Sequence, residues 1–273
     1  MNITGKTIWI TGASTGIGAQ LARELARMGN HVIASGRNET ALRRLATDEA
    51  GAITPLRLDI TDPEAIRRAQ RELAVLSHSL DIVIATAADF EYVERGQVDM
   101  GVLEHMIRVN YLGAAQTAAL GLPLLRRASR PQLAFVSSLT TGLPLGRAKA
   151  YGASKAALEY LAQALAVDLQ TAGIAVTVIR PGYAASGARP IPLALPLEVA
   201  SSRIIDGLAR RKPLIQFPRR LAWMIRLLAM FPGAWQAYLA SQAPATPVRS
   251  RRTNTWSGEP ARVATPSPDS PLR

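Results

Sequence analysis

Tyr151 and Lys155 stand four residues apart in the run Tyr151-Gly152-Ala153-Ser154-Lys155. On a helix that spacing puts both side chains on one face, within reach of a common ligand. A phenol ionises near pH ~10 and is a poor base at neutrality, but a neighbouring ammonium favours its charged form and brings proton transfer into range. Such a pair alone is as readily structural as chemical. Its weight comes from Ser138, upstream, at the end of the apolar run Leu133-Ala134-Phe135-Val136. Strand ends of this kind line the ligand crevice of parallel sheets. Ser137 is adjacent and competes for any role given to that hydroxyl.

A second candidate lies near the start, in Thr11-Gly12-Ala13-Ser14-Thr15-Gly16-Ile17-Gly18. It joins a short run of β-formers, Thr7–Ile10, to an apolar repeat at Ile17, Leu21, Leu25 and Met28 that has the period of an amphipathic helix. Gly12 permits a tight exit from the strand, Gly16 lets backbone approach a pyrophosphate, and Gly18 allows close helix–sheet contact. Free N–H groups at the helix start then face the anion. Glycines at this density also make ordinary turns; the strand–turn–helix setting favours the phosphate reading.

The elements that must position these residues alternate along the chain. Strands are predicted at His31–Ala34, Thr54–Leu58, Asp81–Ala85, Gln132–Ser137 and Ala175–Arg180. Helices are predicted at Thr40–Ala50, Pro63–Leu76, Leu103–Leu125, Ser154–Thr171 and Glu198–Ala209, with Asp62 as an N-cap ahead of Pro63. Strands alternating with helices imply right-handed crossovers and an α/β fold: a doubly wound, parallel sheet.

The 273 residues are 48% hydrophobic and 19% charged, which fits a globular chain with a full core. There is no cysteine, which excludes disulfides, a thiolate nucleophile and Cys-ligated metals, and three dispersed histidines make a His-rich metal site unexpected. Net charge is +12, unevenly spread. From Arg203 onward there are 12 basic and 3 acidic residues, net +9, whereas residues 1–202 carry 20 basic and 17 acidic, net +3. The positive field therefore belongs to the C-terminal quarter, and no nucleic-acid partner is expected from it. No secretory signal is visible, and the apolar stretch Leu221–Phe231 is too short to cross a bilayer.

In its T-G-x-x-x-G-x-G turn, its Tyr-x-x-x-Lys pair and the Ser138 that precedes the pair, the sequence resembles the classical branch of the short-chain dehydrogenase/reductase family over about residues 5–190. The resemblance implies a Rossmann-type doubly wound sheet and a nicotinamide dinucleotide bound by Gly12, Ser14, Thr15, Gly16, Ile17 and Gly18. It assigns Ser138 to hold the substrate oxygen, Tyr151 to give or take the proton, and Lys155 to bind the nicotinamide ribose and tune Tyr151. Asn110 matches the accessory amide that supports a water-linked proton path, and it could equally cap or kink a buried helix. By the same likeness Asp59 and Ile60 contact the adenine. Pro181, Gly182, Ala184 and Ser186 form the turn beside the nicotinamide.

One motif departs: where the family has Asn-Asn-Ala-Gly, this chain has Ala85-Thr86-Ala87-Ala88, retaining only Ala87 for the adenosine ribose. At the end of the second strand Gly36 replaces the carboxylate that would select NAD. Arg37, which follows, suits a 2′-phosphate or is simply a solvated arginine; NADP(H) is the expected cofactor.

The chain is thus expected to be an NADP(H)-dependent oxidoreductase acting on a carbonyl or secondary alcohol, cytoplasmic, and a homodimer or homotetramer through Leu103–Leu125 and Ser154–Thr171. The alternative is a coenzyme-binding sensor or scaffold with little turnover, supported only by Ala85–Ala88. The expected division is a catalytic domain over 1–200, a helical extension or substrate cap over 201–242, and a disordered basic tail over 243–273. The stretch 219–242, apolar with several arginines, either roofs the substrate pocket or packs in a subunit interface, or else attaches to an anionic membrane surface. A cap of that kind favours a bulky apolar small-molecule substrate.

Overall fold

Successive residues of a strand face opposite sides of its sheet, and in the first strand both sides are apolar. Ile8 and Ile10 enter one buried cluster with Leu21 and Leu25, while Trp9 enters another with Leu73 and Phe135. A strand buried on both faces belongs in the middle of a parallel sheet covered by helices. The computed structural model, which describes residues 3–182 and 195–241, has that arrangement.

Seven parallel strands, β1 (Thr7–Thr11), β2 (His31–Gly36), β3 (Ile53–Arg57), β4 (Ile82–Ala85), β5 (Gln132–Val136), β6 (Ala175–Pro181) and β7 (Leu214–Phe217), stand in the order β3-β2-β1-β4-β5-β6-β7. The helices are α1 (Gly16–Arg27), α2 (Glu39–Asp48), α3 (Pro63–Leu76), α4 (Met100–Ile107), α5 (Gly113–Leu125), α6 (Lys149–Asp168), α7 (Leu197–Ala209), α8 (Arg219–Ala229) and α9 (Pro232–Ser241). Buried residues of α1, α2 and α7 share one cluster, and those of α3, α5 and α6 share the other. Each fully buried Leu or Ile contributes roughly 1.5–3 kcal/mol. The strand order reverses between β1 and β4, and the crevice above that switch point is where such sheets take ligands.

The elements differ from expectation at three points. The helix expected over Leu103–Leu125 is interrupted by a π turn at Arg108–Leu112, which separates α4 from α5. The helix expected from Ser154 begins at Lys149, because Lys149 Nζ is held by the Glu94 carbonyl at 2.9 Å and Gly152 N by the Ala148 carbonyl at 2.7 Å. A strand that the sequence reading lacks, β7, adds the sheet's seventh member. It is four residues long and bounded by prolines, so its period is illegible locally, yet Ile215 and Phe217 are buried. Helix α7 runs across 200/201 and packs on α1 as part of the sheet's own cover. Asp62 caps α3 as expected, its carboxylate accepting from Glu64 N at 2.9 Å with Pro63 opening the helix. Residues 243–273 lie outside the described part.

Candidate active site

The glycine turn reads as geometry. Gly12 has φ +69°, and a Cβ there would lie 2.6 Å from the Ala87 backbone, so no side chain fits between β1 and β4. Gly16, at φ +58°, faces open space where a Cβ would stand. Thr15, at the start of α1, makes no side-chain cap, so the first amides of that helix remain available to an anion. At the root of the turn Thr11 Oγ1 is, among the described residues, the only buried side-chain polar atom without a partner. A ligand or water fills such a deficit. The donor set of this end of the cavity therefore fits a dinucleotide phosphate.

The cavity has a volume of about 1790 Å³ and runs from that turn to α8 and α9. Gly12, Ser14, Thr15, Gly16, Ile17 and Gly18 line its one end with Arg37, Asp59, Ile60 and Ala87; Ser138, Tyr151, Lys155, Pro181 and Gly182 line its middle. Ala184 and Ser186 lie outside the described residues. Arg37 makes no hydrogen bond or salt bridge of its own among the described residues, and its charge helps to hold the Asp59 and Asp89 carboxyls below the usual carboxylate range. Asp59 Oδ1 is taken by Thr61, accepting from its N at 2.8 Å and its Oγ1 at 2.7 Å.

Tyr151 sits in the first turn of α6. Phe90 packs edge-on to its ring at 4.9 Å between centroids. Lys155, one turn on, is fully buried with its Nζ 5.8 Å from the Tyr151 ring centroid and donates to the Val136 carbonyl at 2.8 Å. Burial lowers its pKa to about 8, against a smaller upward pull from the Glu159 carboxylate.

The two serines separate because neighbouring residues at a strand end point apart. Ser137 Oγ donates to Glu159 Oε1 at 2.6 Å and is committed to the core. Ser138 Oγ accepts from Thr140 N at 3.2 Å and from Thr140 Oγ1 at 3.0 Å, which leaves its own proton for a substrate oxygen.

Asn110 does not line the cavity. It lies fully buried in the π turn, donating to Ser154 Oγ and to the Asp89 carbonyl, both at 3.0 Å, and accepting from Asp89 N at 2.8 Å. It clamps the segment after β4 to α6; a π turn is a frequent kink at functional sites.

Two residues that sequence reasoning missed complete the arrangement. Thr86 Oγ1 donates to the Thr11 carbonyl and ties the end of β4 to β1, in the segment where the family's asparagines are absent. Glu159, one turn beyond Lys155, accepts from Ser137, Thr141 and Arg180. The Tyr-Lys spacing continued by four residues is the one local signal that pointed to it.

A sequence profile described as short chain dehydrogenase matches residues 6–190. An uncharacterised oxidoreductase of Myxococcus xanthus is 34% identical over 237 residues, 84% of this chain and 93% of its own length. An 11-beta-hydroxysteroid dehydrogenase A of Arachis hypogaea is 34% identical over 67% of this chain and 53% of that protein. Among solved structures, the RhlG/NADP active-site complex of Pseudomonas aeruginosa superposes with a TM-score of 0.73 at 25% identity, covering 79% of this chain and 96% of that one. A short-chain dehydrogenase of Burkholderia cenocepacia in complex with NADP, at 22% identity, has the same fold with a TM-score of 0.77, covering 89% and 100%. With a matching profile over most of its length, a seven-stranded sheet of the same topology and the Ser–Tyr–Lys set on one cavity wall, this chain belongs to the short-chain dehydrogenase/reductase family of oxidoreductases.

Proposed function

We propose that the protein is an NADP(H)-dependent oxidoreductase that interconverts a carbonyl and a secondary alcohol on a bulky apolar substrate. The observation that carries the reading is the single cavity with Ser138, Tyr151 and Lys155 midway between uncapped helix amides and an apolar end. When bound, the nicotinamide supplies or accepts the hydride. In the reducing direction Ser138 donates a hydrogen bond to the substrate oxygen, stabilising the charge that develops there. Tyr151 protonates that oxygen, and the buried Lys155 ammonium stabilises the phenolate left behind. Asn110, through Ser154, holds the helix on which Tyr151 and Lys155 stand.

The Arg37 guanidinium supports NADP(H) over NAD(H), since it supplies charge-assisted donors to a 2′-phosphate and no carboxylate competes at Gly36. The apolar end of the cavity, lined by Phe90, Leu143, Leu221, Ile225 and Trp235, supports a large apolar substrate. The Arachis hypogaea relative, named for a hydroxysteroid, is consistent with a large apolar substrate. A sensor without turnover rested on Ala85–Ala88; with Thr86 bracing that segment, no observation favours it. Exposed Leu112, Tyr160 and Val167, in the π turn ahead of α5 and on α6, support self-association there.

An NADPH-oxidation screen over ketones and aldehydes graded by size, with binding of both coenzymes measured in parallel, tests the reading. Turnover is expected to rise with apolar bulk. NADP is expected to bind at least tenfold more tightly than NAD, on the scale of about 1.5–3 kcal/mol for a hydrogen bond to a charged group. NAD binding as tight as NADP overturns the preference, and no turnover on any carbonyl overturns the function.

A further inference from the structure

Helix α8 is apolar on two sides. Leu221, Ile225 and Leu228, spaced i, i+4, i+7, line the cavity, and Ala222 beside them is buried. The helix is seated firmly: a Cβ added at Gly142 would stand 2.5 Å from Ile225, and Trp235 Nε1 in α9 donates to the Pro144 carbonyl at 3.0 Å. The opposite side repeats the spacing with Trp223, Leu227 and Met230, which are 65, 56 and 63% exposed, and Phe231 at the α8–α9 turn is 60% exposed. Nothing among the described residues covers these four large side chains.

Cations accompany them. Arg219 and Arg226, seven apart, border the outer strip on one side and Arg220 on the other; none of the three forms a salt bridge among the described residues, and Arg226 lies 5.8 Å above the Trp223 ring. From Gly207 to Gly258 the sequence contains no Asp or Glu. A second copy seated on this face by a twofold axis would set the same arginines against one another. An anionic lipid surface neutralises them while its acyl boundary accepts the Trp, Leu, Met and Phe side chains.

We propose that the outer face of α8, with the α8–α9 turn, docks on an anionic membrane surface. In that orientation one short helix separates lipid from cavity, and an apolar substrate dissolved in the bilayer lies next to the pocket; this last clause rests on the proposed function, whereas the docking itself does not. No described helix is long and apolar enough to cross a membrane, so the contact is interfacial.

The test uses the full chain, sedimented with vesicles of phosphatidylcholine alone or mixed with phosphatidylglycerol. Association is expected with the mixed vesicles only and falls as salt is raised. The triple variant Arg219→Gln/Arg220→Gln/Arg226→Gln is expected to partition at least tenfold more weakly, as removal of three basic side chains from an anionic surface requires. So is Trp223→Ser/Leu227→Ser/Phe231→Ser, while both variants bind NADPH as the parent does, which reports an intact fold. Three results overturn the proposal: no association with mixed vesicles; equal association of parent and variants, which assigns binding to Arg249, Arg251 and Arg252; or a variant that halves the mass in solution, which makes the face a contact between copies. Because the readout is lipid association, failure here leaves the oxidoreductase reading standing, and an inactive enzyme leaves the docking testable.

Discussion

Tyr151→Phe is expected to bind NADPH with near-parental affinity and to lose turnover by about 10²–10⁴, the range that a positioned general acid–base supplies. The substitution removes the phenolic oxygen and keeps the ring. The ring keeps its edge-on contact with Phe90 and its place in the first turn of α6. Lys155 keeps its bond to the Val136 carbonyl, so the buried ammonium is not orphaned. The coenzyme end of the cavity, at the glycine turn and Arg37, is built from other elements and is untouched. The effect is therefore expected in kcat rather than in coenzyme affinity. Stopped-flow measurement of NADPH oxidation, together with fluorescence titration of NADPH, separates the two. Unchanged turnover removes Tyr151 from the chemistry; lost NADPH binding makes it a structural residue of the coenzyme cleft.

What the sequence disclosed and what it hid divide along physical lines. The glycine turn and the Tyr151–Lys155 pair are local: spacing along one strand–turn–helix or one helical face singles them out, and both line the cavity. The alternation of apolar strands with amphipathic helices is likewise local, and it led to the doubly wound sheet. β7 escaped because a four-residue strand between prolines has too few periods to register, and only Gly207 packing under Ile215 reveals why it is there. The choice between Ser137 and Ser138 needs the partner that each meets, Glu159 for one and Thr140 for the other. Thr86 looked like a loss of the family's asparagine because a hydroxyl reaching the Thr11 carbonyl is a contact across 75 positions. The break between α4 and α5 has no local breaker: the π turn at Arg108–Leu112 is ordered by Asn110 bonding outward to Asp89 and Ser154. Side chains whose function is to join distant segments are the ones that a single chain read in order does not announce.

Glu159 is the residue of that kind with the largest expected effect. Its Oε1 accepts from Ser137 Oγ at 2.6 Å, Thr141 Oγ1 at 2.9 Å and Arg180 Nε at 2.8 Å, and its Oε2 accepts from Arg180 Nη2 at 2.5 Å. One carboxylate thus fastens the ends of β5 and β6 and the turn after Ser138 to α6. Glu159→Ala strands the Arg180 guanidinium and two hydroxyls at once. Removing one partner of a buried pair costs about 3–5 kcal/mol, and because Arg180 keeps 28% of its side-chain exposure a smaller cost is expected, roughly 2–3 kcal/mol. For a chain of this size that lowers the unfolding midpoint by roughly 5–10 °C. A structural loss alone does not touch the pH dependence, but this carboxylate also raises the pKa of Lys155. Glu159→Gln keeps the side chain's size and removes its charge, so the ammonium of Lys155 becomes easier to deprotonate and its pKa falls further below about 8. The limb of the kcat profile that follows Lys155 is then expected to move to lower pH in Glu159→Gln, with a smaller loss of stability than in Glu159→Ala. Profiles that superpose across the three proteins reduce Glu159 to a brace; a limb that moves to higher pH contradicts the field that it is assigned here.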